Sequence, residues 1–271
     1  MLYFIFPLIG LFTGTLGTLI GAGGGFILMP VLLLLFPSMN VEDVTMISMI
    51  VIFFNALSGT LAYSRMKRID YYAGIIFAIA TVPGSIIGTF ITTVIERNAF
   101  NIIFGFFLIL MSALLIFFRN SENEKIANKD GKFLRKCDIT DKYGKSFRYS
   151  YNYITGIIIS IFTGFISPIF GIGGGIIHVP AMIKILCFPA HIATATSHFT
   201  LMMMSLVSVV THLFVSRESF IFLYSGLLIV GVIPGAQLGS HLSKRTKDKH
   251  IIIILALALC IAGIRIIFLK R

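Results

Sequence analysis

The sequence predicts an all-α polytopic integral membrane protein made of two homologous helical halves, each starting with a glycine-broken helix. Three observations carry that expectation. Of the 271 residues, 57% are hydrophobic and only 12% are charged, about half the roughly 25% charge of a soluble domain. So little polar surface cannot cover a water-exposed globule, and the solvent must be lipid. The apolar residues fall into long runs, and a glycine-rich block in the first half recurs in the second.

The runs, bounded by charge, Pro and Gly, are 1–37 (interrupted at 21–25), 44–64, 71–95 and 100–118. After a polar stretch come 151–189 (interrupted at 171–175), 192–215, 220–242 and 251–269. Runs of about 20 apolar residues read as helical spans, because only a helix satisfies its own backbone in lipid. No basic segment precedes the first run, so a cleaved signal peptide is not expected.

Thr13, Gly14, Gly21, Gly23, Gly24, Gly25 and Pro30 recur as Thr163, Gly164, Gly171, Gly173, Gly174, Gly175 and Pro180, at an offset of 150. Pro83, Gly84 and Gly88 recur as Pro234, Gly235 and Gly239, at an offset of 151. Two blocks at nearly one offset indicate a duplicated unit. The expected organisation is a first membrane repeat (1–118), a charged cytoplasmic linker (119–150) and a second membrane repeat (151–271).

The net charge of +11 is concentrated in connections. Nine of the 22 Lys and Arg lie in 119–150, with Arg65, Lys67 and Arg68 in one loop and Lys244, Arg245, Lys247 and Lys249 in another. That is the pattern of cytoplasmic loops in an inner-membrane protein, and nucleic-acid binding is not expected. The linker reads as a solvated connector that fixes orientation. The loop equivalent to Arg65–Lys67–Arg68 holds Arg217 with Glu218, and the loop equivalent to 244–249 holds Glu96 with Arg97, so basic and neutral loops exchange between halves. This favours inverted repeats, in which each broken element enters and returns. The alternative, eight spans in parallel halves, stays open at this point.

Each glycine costs about 1 kcal/mol in a helix interior, so GxGGG should break the helix in mid-membrane. Unwound backbone survives there only against protein or a water-filled cavity. Amides at the start of the following half-helix carry partial positive charge and suit an anion. Candidate substrate-binding residues are therefore Gly23, Gly24, Gly25, Gly173, Gly174 and Gly175. The plainer reading, close helix packing by small residues, suits GxxxG better. None of the 11 acids lies well inside a run, which lowers the odds of a cation or a carboxylate proton relay.

Polar residues in the runs add Ser48 and Asn55 in half one and Thr196, Ser197 and His198 in half two, with Gln237 after the second Pro-Gly as a cavity residue. Ser58 shares a helix face with Ser48 and Asn55 by spacing. Each of these also reads as interhelical glue, and His198 and His178 as neutral core histidines. His212 is placed at the membrane interface, and Lys184 snorkels. Cys137, Cys187 and Cys260 show no metal or redox spacing. No cofactor, metal site or catalytic group is expected, and the chain does not read as an enzyme.

The paired glycine clusters with Pro30 and Pro180, the Thr196-Ser197 start of a helix reaching His212, and the Pro83-Gly84 and Pro234-Gly235 turns resemble the TauE/SafE permease family. The resemblance covers nearly the whole chain outside the linker. It implies secondary transport of sulfite, a sulfonate or another small organic anion across the cytoplasmic membrane. Half one departs from the family pattern at Ile47-Ser48, where a Thr-Ser pair is usual, and at Tyr63, where His is common. Alternating access is the expected mechanism, with a passive anion channel as the other reading. The expected partners are a small anionic solute and the lipid bilayer, with a homodimer left open.

Overall fold

The computed structural model describes residues 2–118, 133–215, 219–243 and 248–268. The first half forms α1 (Leu2–Ile20), α2 (Gly25–Leu35), α3 (Val41–Arg65), α4 (Tyr71–Thr92) and α5 (Arg97–Phe118). A hairpin of β1 (Leu134–Thr140) and β2 (Ser146–Asn152) follows. The second half forms α6 (Tyr153–Phe170), α7 (Gly175–Lys184), α8 (Ala190–Val215), α9 (Ser219–Leu242) and α10 (Asp248–Ile267). Among the described residues, α3, α4, α5, α6, α8 and α9 are long and apolar enough to cross a bilayer. Outward-facing Ile79, Phe106, Phe162 and Val230 are each more than half exposed, while Thr, Ser, Asn and His side chains lie inside. Such inside-out polarity suits a lipid solvent. The protein is a multi-pass, essentially all-helical membrane protein.

Local chemistry sets the breaks. The carboxylate of Asp70 accepts the Ala73 amide at 3.0 Å and starts α4, while Asn152 accepts from Ile154 and Thr155 and starts α6. Between α1 and α2 the backbone turns through Gly21, Gly23 and Gly24 at φ of 85°, 73° and 78°, values that favour glycine. Each break reverses the chain. Phe6 near the start of α1 stacks on Phe36 just past α2, with centroids 6.1 Å apart. Ser160 of α6 lies 3.1 Å from His178 of α7. Both broken helices are therefore hairpins.

The duplicated glycines make the same contacts in both halves. Gly14 of α1 packs on Val232 of α9, and Gly164 of α6 packs on Thr81 of α4. Gly235 and Gly239 of α9 meet Leu11 and Thr15, while Gly84 and Gly88 of α4 meet Ile161 and Phe165. At each contact a Cβ would collide with backbone, so small residues permit the close approach. The broken helix of each half thus pairs in parallel with the fourth helix of the other.

Equivalent helices meet in opposite directions. Tyr63, late in α3, meets His198 in the first turns of α8 with ring centroids 5.5 Å apart, whereas Met49 and Met204 share a cluster further back along α3 and on along α8. Gly105 of α5 packs on Gly263 of α10, and Ser112, further on, donates to the Ala256 carbonyl at 2.6 Å. So α3 runs antiparallel to α8, and α5 to α10.

The linker departs from its expected role. Strands β1 and β2 pair antiparallel from Leu134–Asn152 to Thr140–Ser146. Phe147, Tyr149 and Tyr151 alternate inward with period two and bury against Phe77, Phe188 and Ile192. So this part of 119–150 is a docked hairpin, extending to Asn152, rather than a solvated connector. Its aromatic face supplies the apolar area that the charge count hides. Residues 119–132 lie outside the described residues.

Candidate substrate site at the paired glycine turns

Two half-helices, α2 and α7, begin inside the protein at glycine turns that touch. Gly25 abuts Ile172, and Gly175 abuts Gly21 and Ala22. The six candidate glycines are all buried. In the first turn the Ala22 and Gly23 amides donate to the Gly17 carbonyl, and Ile27 and Leu28 donate to Gly24. Among the described residues, the amides of Gly24, Gly25 and Phe26 are left without an acceptor. The second turn is similar: Ile172 donates to Ser167, and Ile177 and His178 donate to Gly174. Among the described residues, the amides of Gly173, Gly174, Gly175 and Ile176 are then left over. Helix starts leave such donors open, and here the aligned peptide dipoles add positive potential.

The two serines that the repeat aligns cross between halves. Ser48 donates to the Gly171 carbonyl, and Ser197 donates to the Gly21 carbonyl at 3.4 Å. Each hydroxyl holds the opposite half's turn, so these serines position the turns and have their donors committed. Ile52 and Leu201, also equivalent, close over Gly23 and Gly173. Neither residue carries a polar signal that would single it out in the sequence.

Around the first turn lies a polar cluster. Thr18 Oγ1 donates to Asn55 Oδ1 at 3.0 Å, His198 Nε2 lies 3.3 Å from Thr18 Oγ1, and Tyr63 OH donates to the Thr18 carbonyl at 2.8 Å. Asn55 and His198 are fully buried. Thr18 was not foreseen because its counterpart at the repeat offset is Pro168.

Other candidates lie elsewhere. Thr196 Oγ1 accepts the Asp70 amide at 3.0 Å, at the α3–α4 connection. Gln237 is on the exposed side and donates to the Ser58 carbonyl and hydroxyl, both at 2.9 Å. Ser58 donates to the Ile233 carbonyl of α9. His178 sits behind the α6–α7 hairpin against Ser160 and Phe77. His212, placed at the interface by its position near a helix end, is instead 0% exposed, on the inward face of α8 while Leu213 and Phe214 beside it face out.

The buried acids Asp43, Asp70 and Asp141 lie in the first turn of α3, before α4 and in the hairpin turn. Among the described residues, no group of three or more His, Cys, Asp or Glu is placed to hold a metal. The site's chemistry is therefore that of buried N–H donors with no fixed negative charge, which suits an anion.

The model of the family described as sulfite exporter TauE/SafE matches residues 6–266. The chain is similar to the probable membrane transporter protein YunE of Bacillus subtilis, 35% identical over 99% of this chain and 98% of that protein. It is also similar to a probable membrane transporter protein of Methanocaldococcus jannaschii, 26% identical over 95% of this chain and 92% of that protein. No solved structure matches the chain. A match over almost the whole length, on a chain whose helices are built for lipid, places this protein in the TauE/SafE family of membrane transporters.

Proposed function

We propose that the protein is a secondary transporter that moves a small oxyanion, sulfite or a sulfonate, across the cytoplasmic membrane by alternating access. The observation that carries this reading is the pair of half-helix starts, at Gly23–Gly25 and Gly173–Gly175, with unused amides and, among the described residues, the buried acids confined to other places, at the start of α3, before α4 and in the hairpin turn. Asn55 and His198 complete the surroundings, and Ser48 and Ser197 hold the turns. The name of the family and of its relatives supports transport.

Orientation follows from charge and helix direction together. Arg65, Lys67 and Arg68 sit where α3 meets α4. The hairpin packs there, and α9 ends there as well, since Gly239 meets Thr15 and Tyr63 reaches Thr18. The basic connections thus share one end, which the positive-inside rule assigns to the cytoplasm. With equivalent helices antiparallel, the halves are inserted in opposite senses, as in inverted-repeat carriers. Ile52 and Leu201 form the seal that rocking of the halves must open.

The test is uptake of radiolabelled sulfite, sulfoacetate and taurine into proteoliposomes. Saturable uptake accelerated by unlabelled anion inside is expected. Conductance without such counterflow overturns the carrier reading in favour of a channel. Unchanged transport after Gly24→Leu together with Gly174→Leu removes the proposed site.

A further inference from the structure

The two glycine turns share a sequence pattern but neither their backbone nor their surroundings: Gly24 sits at φ 78° and Gly174 at φ −53°, and the side chains beside them differ as well. Aligning Ser48 with Ser197 sets an offset of 149 between α3 and α8, which also pairs Ile52 with Leu201. At that offset Asn55 corresponds to Met204 and His198 to Met49, while Thr18 corresponds to Pro168 at the offset of α1 and α6. The structure keeps the correspondence in space. Asn55 Nδ2 lies 3.7 Å from the point a Cβ on Gly24 would occupy, and Met204 Sδ lies 3.6 Å from that point on Gly174. Asn55 Nδ2 has no acceptor among the described residues, and its residue is 0% exposed. A thioether offers no proton in its place. Thr163 turns its methyl, not its hydroxyl, toward Gly174. Among the described residues, the second half keeps two buried hydroxyls without a partner on α6, at Thr163 and Ser167, neither of them an amide group laid against the turn.

We infer that only the first turn binds the anion, through the Gly24, Gly25 and Phe26 amides together with the Asn55 amide group, so that each chain carries one site despite its duplicated fold. This rests on the transport reading above and deepens it. The ligand class is a compact oxyanion with several acceptor oxygens, since the donors are neutral N–H groups, three from one backbone turn and one from the side chain beside it. Thr18, by donating to Asn55 Oδ1, fixes the amide with its Nδ2 toward the turn; Thr18 is a positioning residue. The second turn serves as the structural counterweight, with Met204 filling the space that Asn55 leaves functional in the first.

The experiment is titration of the purified full chain in detergent with sulfite and with sulfoacetate, by calorimetry, for the wild type and four variants. The wild type is expected to saturate at one anion per chain. Asn55→Met, which copies the second turn, raises the half-saturating concentration at least tenfold, equivalent to about 1.4 kcal/mol. Asn55→Asp keeps an acceptor for Thr18 but removes the amide donors, and weakens binding at least as much as Asn55→Met; a cooperative ligand-free melting transition in both variants shows that they are folded. Ser167→Ala and Met204→Leu leave the affinity unchanged. Two anions per chain, or an equal loss in the Met204 or Ser167 variants, overturns the single-site inference while leaving transport standing. Wild-type protein that neither binds these anions nor exchanges them in proteoliposomes overturns both.

Discussion

The two ends of the bundle are built from equivalent connections, yet one is clamped and the other is hollow. At the Arg68 end the β-hairpin lies across the α3–α4 and α7–α8 connections. Arg68 Nε and one Nη donate to Asp141 Oδ2 at 3.2 and 2.9 Å, Tyr149 OH donates to Asp70 at 2.7 Å, and the Lys142 amide donates to the Met66 carbonyl at 3.0 Å. Tyr149 and Tyr151 each pack on Phe188 with centroids 4.7 Å apart. At the opposite end, where α4 finishes and α5 begins, a cavity of about 410 Å³ opens among Met39, Asn40, Glu42, Thr92, Glu96 and Arg97. There Arg97 donates to the carbonyls of Leu33, Phe36 and Met39 and holds the end of α2. The insertion between the halves thus packs on one end only. Duplication made the ends equivalent, and 19 residues of hairpin made them different.

The largest expected effect comes from breaking the clamp. Arg68→Ala leaves the Asp141 carboxylate buried without its partner, a change that costs about 3–5 kcal/mol. Loss of hydrogen-exchange protection in β1 and β2, with a lower melting temperature, is the expected readout. Cys137 offers a second readout. Burial, with Asp70 beside it, pushes its thiol up to about 11, so maleimide labels it slowly at neutral pH and faster once the hairpin lifts. Unchanged protection and labelling would mean that apolar contacts alone hold the hairpin.

Acid should loosen the same end next. Burial by itself raises the Asp141 carboxyl, but hydrogen bonds from Arg68 and from the Lys145 and Tyr143 amides hold it below its ordinary 3.8. A depressed folded value contributes stability above 3.8 that is lost as pH falls through the folded value. Strand protection should therefore stay level from neutral pH down to the ordinary carboxylate range and fall below it. A fall already near neutrality would contradict the ion pair.

At the hollow end, Arg97→Ala removes a charged donor from three carbonyls that border the cavity. Water in the cavity can replace part of what is lost, so a smaller destabilisation of about 1–3 kcal/mol is expected. A melting shift as large as that of Arg68→Ala would show the two ends to be equally clamped. The smallest effect is that of Arg148→Ala. Its pair with Asp138 is solvent-exposed on both sides, at 81% and 53%, and exposed pairs contribute about 0–1 kcal/mol. No measurable change is expected in melting or hairpin protection.

How far the sequence could be read differs by element. The helix breaks at Gly21–Gly25 and Gly171–Gly175, the long spans and the duplication were legible, because helix length in lipid and glycine's backbone freedom are local properties. The hairpin was hidden by its own charge. The alternation Phe147-Arg148-Tyr149-Ser150-Tyr151 is a strand pattern, but its nine-basic surroundings read as solvated until Phe77 and Phe188 are seen to cover the aromatic face. Of the candidate site, the glycines, Ser48, Ser197, Asn55 and His198 gather around the two turns, while Thr196 and Gln237 serve other contacts. Spacing put all of them on suitable helices, yet it carried no information about which helix each one faces.

The sequence by itself determined that this chain lives in lipid, that it repeats one unit, and where each unit breaks its first helix. Solvent and backbone dictate those features residue by residue. Only the tertiary structure decided that Ser48 and Ser197 cross to the opposite half's turn, and that Asn55 faces one turn and Met204 the other. Those choices depend on how the two halves pack together, where segments far apart in the chain come within a few ångströms.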